Sequence, residues 1–378
     1  PKFLVAENGT MGARNGVFCG GIEKKMGIKG SATCTMNFDD AVAYRLGPKP
    51  EKAGATGGGE HKRTSGMAGM FAMMNGARMG VGVMGIAIAE VANQNAAIYA
   101  RERLTGRALT GAKAPDKPAD PIIVHPDVRR MLLHGRSFTE GARAVAMWVG
   151  LQFAISRSSR SEAEREEAGL IADMVTPIVK AFFTDASFEA VNAAMQCFGG
   201  HGYIRDHGME QFVRDARINQ VYEGANGIQA LDLVGRKLTR AGGKAPFALM
   251  TKIKGFAKAA YSGPAAFVGA PLENGLLHLE AATGWLAENA MKNPDNAGAA
   301  SADYLRLFGL VLVGWFWGQI AGHAAKAIAK GTGNRSFLER KLVLARYWME
   351  RMMPETDMLL TRIKAGSEGL MMLDAAGF

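Results

Sequence analysis

The sequence predicts an α+β protein that is mostly helical: a short β segment, a helical bundle and a second helical unit. Three observations point there. Period-two alternation is confined to the first fifty residues. From Gly66 onward the pattern is helical, in long stretches with few prolines. Small and pliable residues abound, with 48 Gly and 22 Met among 378 residues, which suits close helix packing.

In chain order, Phe3-Leu4-Val5-Ala6 and Gly16-Val17-Phe18-Cys19 read as short strands. The clearest strand is Ala32 to Phe38, with Ala32, Cys34, Met36 and Phe38 on one side. Residues 48–66, with Pro48, Pro50 and Gly57-Gly58-Gly59, read as a loop. A proline-free helix is expected from Met67 to Leu104, then a proline-bearing loop from Ala112 to Pro126. His125-Pro126-Asp127 opens a second helix, running to about Ser156, with proline in its first turn. Residues 156–167 read as a charged connector, followed by helices at about 168–183 and 187–198. A helical segment leads to Tyr222, and another helix begins near Asn226. Past a linker at 240–247, helices are expected at 253–259, 276–291, 299–330 and 337–353. The expected domains are thus 1–50 (β), 51–240 (bundle) and 241–378 (additional helices). The chain opens directly on Pro1 and a strand-like segment, so its true N-terminus is expected to lie upstream.

The net charge of +10 favours an anionic partner, whether a polyphosphate cofactor, nucleic acid or a membrane surface. A solvated basic surface fits equally. Three scattered cysteines, Cys19, Cys34 and Cys197, give neither a disulfide framework nor a zinc motif, and suit a reducing, cytoplasmic compartment. The seven histidines show no paired spacing for a metal, so none is expected. The apolar run from Leu307 to Gly322 falls short of a membrane span and reads as a buried helix.

Gly80-Val81-Gly82-Val83-Met84-Gly85 matches the dinucleotide pattern of spaced glycines, but it lies within a helical stretch rather than after a strand. Close helix packing is the better reading. Gly199-Gly200-His201-Gly202 either caps a helix or lets backbone N–H groups approach a phosphate. Gln196 lies one turn earlier. Glu223, in Tyr222-Glu223-Gly224, is either a general base in an apolar neighbourhood or a carboxylate near a helix start. Arg214-Asp215-Ala216-Arg217 is either an exposed ion-pair network or an internal brace. Arg78 and Arg103 lie about 37 Å apart along one helix and cannot grip one head group from it.

The run from Gln196 to Tyr203, followed by Arg214 to Gln229, closely resembles the acyl-CoA dehydrogenase signature. Tyr99 to Gly106 resembles that family's Glu-Arg motif, and Met26 to Ser31 with Phe38-Asp39-Asp40 resembles its central β-domain. Asp303 to Gly309, Lys341, Ala345-Arg346-Tyr347 and the run to Pro354 resemble the extra C-terminal domain of the long branch. That branch includes the 3-methylmercaptopropionyl-CoA dehydrogenase type, which Gly69 to Asn75 also fits.

The resemblance implies the acyl-CoA dehydrogenase fold, FAD, and α,β-dehydrogenation of an acyl-CoA to a trans-2-enoyl-CoA. It makes Glu223 the base, with its backbone N–H and a flavin ribityl hydroxyl holding the thioester carbonyl. Arg78 would lie near the CoA entrance beside Asn75, with Tyr222 and Gly224 also at the substrate. Arg103 would meet the FAD pyrophosphate of a partner subunit, with Gln196, Gly199, Gly200, Ala225 and Gly227 also at the cofactor. A homodimer or dimer of dimers is implied, and an electron-transfer flavoprotein as acceptor. Three departures stand out. The family's N-terminal helical domain and first half of the β-domain are not in this sequence. Ala225 replaces the usual hydroxyl residue, and Gly106 directly follows Thr105, without the usual aromatic. Other readings are an oxidase reoxidised by oxygen, a DNA-binding relative, for which Glu223 and Arg103 would be superfluous, and an inert helical interaction protein. Met70, Met73 and Met74 are either pocket lining or core.

Overall fold

A computed structural model describes residues 1–44 and 66–378, with residues 66–72 described as backbone only. Of the loop expected at 48–66, all but Gly66, where a helix already begins, falls outside the described residues, as does any side-chain role for Met70. The chain divides into two compact units, Pro1–Met70 and Phe71–Phe378.

The first unit holds two antiparallel hairpins. Strand β1 (Phe3–Val5) pairs with β2 (Met11–Arg14), and β3 (Val17–Ile22) pairs with β4 (Cys34–Phe38). The three expected strands are present. β2 was not anticipated, because Met11-Gly12-Ala13-Arg14 lacks both alternation and β-branched residues. Buried Asn15 ties the hairpins: its amide donates to Pro1 O and Val42 O, both at 2.8 Å, and its Oδ1 accepts from Val42 N. The alternation of β4 does not mark a buried face, since Met36 and Phe38 are exposed.

The second unit is helical. Helix α1 (Gly66–Glu102) leads to a loop that ends in a short 3-10 turn, and α2 (Pro126–Ser158) follows. Three residues then turn the chain into α3 (Glu162–Cys197), with Ser161 as its N-cap accepting from Glu164 N. The expected connector at 156–167 is therefore mostly helix, and the two helices expected after it are one. Pro177 lies inside this helix, and its hydroxyl residues bond to the helix's own carbonyls. Thr176 donates to Ala172 O, and Thr184 to Lys180 O.

After α3 come α4 (Gly200–Tyr203), α5 (Met209–Arg217), and α6 (Asn226–Asp232), which runs on through a π turn. A turn at Arg240–Gly243 precedes α7 (Lys244–Ala260), α8 (Gly269–Asn289), α9 (Pro294–Ala329), α10 (Arg335–Tyr347) and α11 (Glu355–Lys364). The last was not anticipated.

Helix α9 is the axis of the core and packs on α2, α3, α6, α8, α10 and α11. Although α1 and α9 are both long and apolar enough to cross a membrane, the apolar window of α9 is mostly buried in this protein. Trp317, Phe308 and Tyr304 on α9 are fully enclosed together with Phe182 and Phe183 of α3 and Phe138 of α2. Trp317 also donates to Ser137 O at 2.9 Å. Arg306 on α9 spans two carboxylates, Glu189 of α3 at 2.8 Å and Glu355 of α11. Glycines set the closest approaches. A Cβ on Gly82 or Gly85 of α1 would lie 2.7 Å from Val179 or 2.8 Å from Ser187 of α3, which supports the packing reading of that motif.

A Cβ on Gly309 would sit 2.4 Å from the buried Phe182 ring, whereas Gly284, exposed in α8, has open space. Gly309→Ala is expected to destabilise by about 1–3 kcal/mol through overpacking. Gly284→Ala should stabilise by roughly 0.5–1 kcal/mol through helix propensity. Urea unfolding of the two variants gives both signs.

Candidate active site

The turn between α5 and α6 presents Glu223. A 3-10 turn (Ile218–Gln220) ends α5, and the N–H groups of Val221 and Tyr222 close on Ile218 O at 2.9 and 3.2 Å. Glu223 then takes a positive φ of 56° and Gly224 one of 89°. Left-handed backbone is uncommon for a residue with a side chain and costs about 1 kcal/mol or more, so the surroundings must impose it. Gly224 has no alternative: a Cβ there would lie 2.4 Å from Gln229 Nε2. Buried Gln229 reaches back from α6 toward both carbonyls of the turn, Glu223 O and Gly224 O, at 3.4 Å. Glu223 itself is half-buried.

Both flanks of the turn are anchored to α3. Gln220 donates to Asp185 Oδ1 at 2.7 Å. Asn226, the first residue of α6, donates to the same Oδ1 at 2.7 Å, to Thr184 Oγ1 at 2.9 Å and to Ala181 O at 3.2 Å. Its own Oδ1 accepts from Lys180 Nζ at 2.8 Å. Burial pushes the Asp185 carboxyl up, against the hydrogen bonds from Gln220 and Asn226. On the same side, Tyr222 donates to buried Asn219 at 3.0 Å and rests its hydroxyl 3.3 Å from Met84 Sδ of α1. Burial and the neighbouring Glu223 raise the Tyr222 phenol.

Arg78 of α1 is buried. Its guanidinium pairs with Asp232 at 3.3 Å and lies 3.7 Å from where a Gly224 side chain would start. Asp232 also pairs with Arg236. Asn75 stands one turn before Arg78, half-buried. The structure thus gathers Asn75 and Arg78 on one turn of α1, and Arg78 with Tyr222, Glu223 and Gly224 around the α5–α6 turn.

Arg103 is elsewhere, exposed just past the C-terminus of α1. Its carbonyl accepts from Ile122 N at 2.8 Å, and the surrounding loop is organised by Asp120. That fully buried carboxylate accepts from the N–H groups of Ala108, Lys113 and Ala114 and pairs with Arg107. Gln196, Gly199 and Gly200 are exposed at the end of α3, where Gly199 has φ 57° and neither glycine has an atom within 4 Å of a would-be Cβ. Beside them, Tyr99 bonds His201 Nδ1 at 2.9 Å, and His201 stacks on His207. Gly227 is equally open. Arg214 pairs with Glu210 one turn back on α5, so the Arg214 segment carries an ion pair along its own helix.

Lys180, Asp185 and Asp232 were not singled out from the sequence. The signal for Lys180 was present: a lone cation within the apolar run Ile178-Val179-Lys180-Ala181-Phe182-Phe183.

Two family models match the chain. Residues 64–238 match "Acyl-CoA dehydrogenase, C-terminal domain", and residues 249–374 match "Acetyl-CoA dehydrogenase C-terminal like". Between the two matches lie residues 239–248, which hold the turn at Arg240–Gly243 and the start of α7. Over 98% of its length the chain is 36% identical to a 3-methylmercaptopropionyl-CoA dehydrogenase of Ruegeria pomeroyi, covering 60% of that protein. It is 32% identical, over its whole length, to the broad-specificity linear acyl-CoA dehydrogenase FadE5 of Mycobacterium tuberculosis, covering 62% of it. The chain thus spans about three-fifths of the length of these curated relatives. The fold matches that of an acyl-CoA dehydrogenase from Bacillus anthracis crystallised with FAD, at a TM-score of 0.70 and 21% identity over 92% of this chain and 57% of that one.

Ala225 occupies the N-cap of α6 with extended backbone (φ −51°, ψ 151°) but no side-chain oxygen to cap it. Ala225→Ser should close that N-terminus and stabilise the protein by about 0.5–2 kcal/mol. Thermal melting of the two proteins checks it, and an unchanged midpoint would mean the hydroxyl finds no N–H.

Proposed function

The chain belongs to the acyl-CoA dehydrogenase family, and from that premise we propose that it forms the C-terminal part of an FAD-dependent enzyme that removes the α- and β-hydrogens of an acyl-CoA thioester. The observation that carries this reading is Glu223. A half-buried carboxylate is held on a left-handed turn whose two flanks are tied to a buried helix. A general base needs that fixed presentation more than a surface carboxylate does.

FAD, when bound, supplies the hydride acceptor. The residues assigned to it fit a large anionic cofactor: Gly199, Gly200 and Gly227 leave their backbone open, and Arg103 is an exposed cation on a braced loop. Gln196 and Ala225 complete that assignment. At the substrate, the Glu223 carboxylate takes the α-proton, and its backbone N–H donates to the thioester carbonyl, favouring the charge that develops there. Gly224 lets the thioester approach, while Tyr222 walls the turn. Buried Arg78, already paired with Asp232, adds positive potential beside the reacting region, with Asn75 next to it. The relatives named above support either a 3-methylmercaptopropionyl or a linear acyl chain as substrate. A cytoplasmic homo-oligomer that passes electrons to an electron-transfer flavoprotein completes the reading, with residues 241–378 as an additional helical domain.

The test is anaerobic addition of such thioesters to the full-length, FAD-loaded protein. Loss of the yellow flavin band with at least one thioester is expected. In Glu223→Gln its rate should fall by a factor of roughly 10²–10⁴ with thioester binding kept. A yellow protein that no thioester bleaches, or a Glu223→Gln variant that bleaches normally, contradicts the proposal. Rapid reoxidation of the bleached protein by air would place it among the oxidases instead.

A further inference from the structure

Lys180 is fully enclosed in the middle of α3, yet it carries an amine. Its Nζ donates to Asn226 Oδ1 at 2.8 Å. That bond fixes the amide's orientation, because only with Oδ1 toward Lys180 can Nδ2 face Asp185, Thr184 Oγ1 and Ala181 O. Asp185 in turn accepts from Gln220. Lys180, Asn226, Asp185 and Gln220 therefore form one relay that grips the chain three residues before and three residues after Glu223. The charged groups around the amine come from every neighbouring element: Asp185 on α3 itself, Arg78 on α1 with its partner Asp232 on α6, and Glu223 on the turn.

We propose that Lys180 is a positioning residue for Glu223: its buried ammonium orients the relay that fixes the turn and sets a positive charge near the carboxylate. This deepens the dehydrogenase reading and rests on it for the consequence in turnover. Burying an ammonium is expensive, and apolar residues of similar volume are ordinarily tolerated or preferred at such places. Desolvation lowers the Lys180 amine to about 8, opposed by Asp185 and Glu223 and reinforced by Arg78. The amine is thus still mostly charged at neutral pH and coupled to the carboxylate that it serves. Coupling is reciprocal: if the ammonium favours the carboxylate, the carboxylate must favour the ammonium.

The test begins without turnover. The Lys180 signal is followed by NMR of the FAD-loaded protein carrying ¹⁵Nζ-lysine, as wild type and as Glu223→Gln, across pH 6 to 11. In Glu223→Gln the Lys180 midpoint should fall by about half a pH unit, as expected for losing a nearby opposite charge. An unchanged midpoint overturns the proposal, whether or not any thioester bleaches the flavin. Given a wild type that bleaches, Lys180→Gln should slow flavin reduction roughly 10-fold with thioester affinity unchanged, and move the acid limb of that rate to higher pH. Lys180→Met, which also loses the hydrogen bond to Asn226, should slow it further. Wild-type rates and an unmoved acid limb in either folded variant also overturn it. If neither variant folds, the midpoint comparison, which needs only Glu223→Gln, still decides.

Discussion

The structure depends on what a buried helix must do with its polar groups. Most of α3 between Ile171 and Ser187 is inaccessible to solvent, yet that stretch carries Thr176, Lys180, Thr184, Asp185 and Ser187. None of these can be left without a partner in the core. The threonines and the serine turn inward to their own helix. Lys180 and Asp185 cannot, and they take Asn226 and Gln220 from the chain passing over them. The satisfaction of α3 and the presentation of Glu223 are thus one set of bonds. With both flanks fixed by them, and Gly224 and Gln229 closing the middle, Glu223 is left in a left-handed conformation that it would not choose alone.

The rest of the helical unit works to keep α3 still. Gly82 and Gly85 let α1 lie against it, and Gly309 lets α9 close on Phe182. Arg306 pins α9 to Glu189, one turn beyond Asp185 on α3, and to Glu355 on α11. The C-terminal helices, which add no residue to the turn, therefore bear on it through packing. At the far end of α1, Asp120 does for the loop around Arg103 what Asn226 does for the turn around Glu223. In each, one side chain gathers several backbone or side-chain groups.

How much of this the sequence disclosed follows from chain distance. Tyr222-Glu223-Gly224 and the glycines after Cys197 are contiguous, so their pattern could be read directly, and the helical character beyond Gly66 followed from spacing. Lys180 and Asn226 are 46 residues apart, and Arg78 and Asp232 are 154 apart; nothing local announces such pairs. The break expected between 183 and 187 does not occur, because the core around α3 holds it as one helix. Strand β4 shows the opposite limit: its alternation was legible, but Met36 and Phe38 remain exposed, so a pattern of faces does not by itself say what is buried.

The central claim is that the α5–α6 turn holds the Glu223 carboxylate where an acyl thioester places its α-carbon. A crystal structure of the full-length, FAD-loaded protein with a non-reacting thioester analogue tests it most directly. The account predicts a carboxylate oxygen about 3–3.5 Å from the α-carbon, with Asn226 and Gln220 still bonded to Asp185. A thioester bound away from Glu223, or a turn that must unfasten from α3 to admit it, would contradict the account.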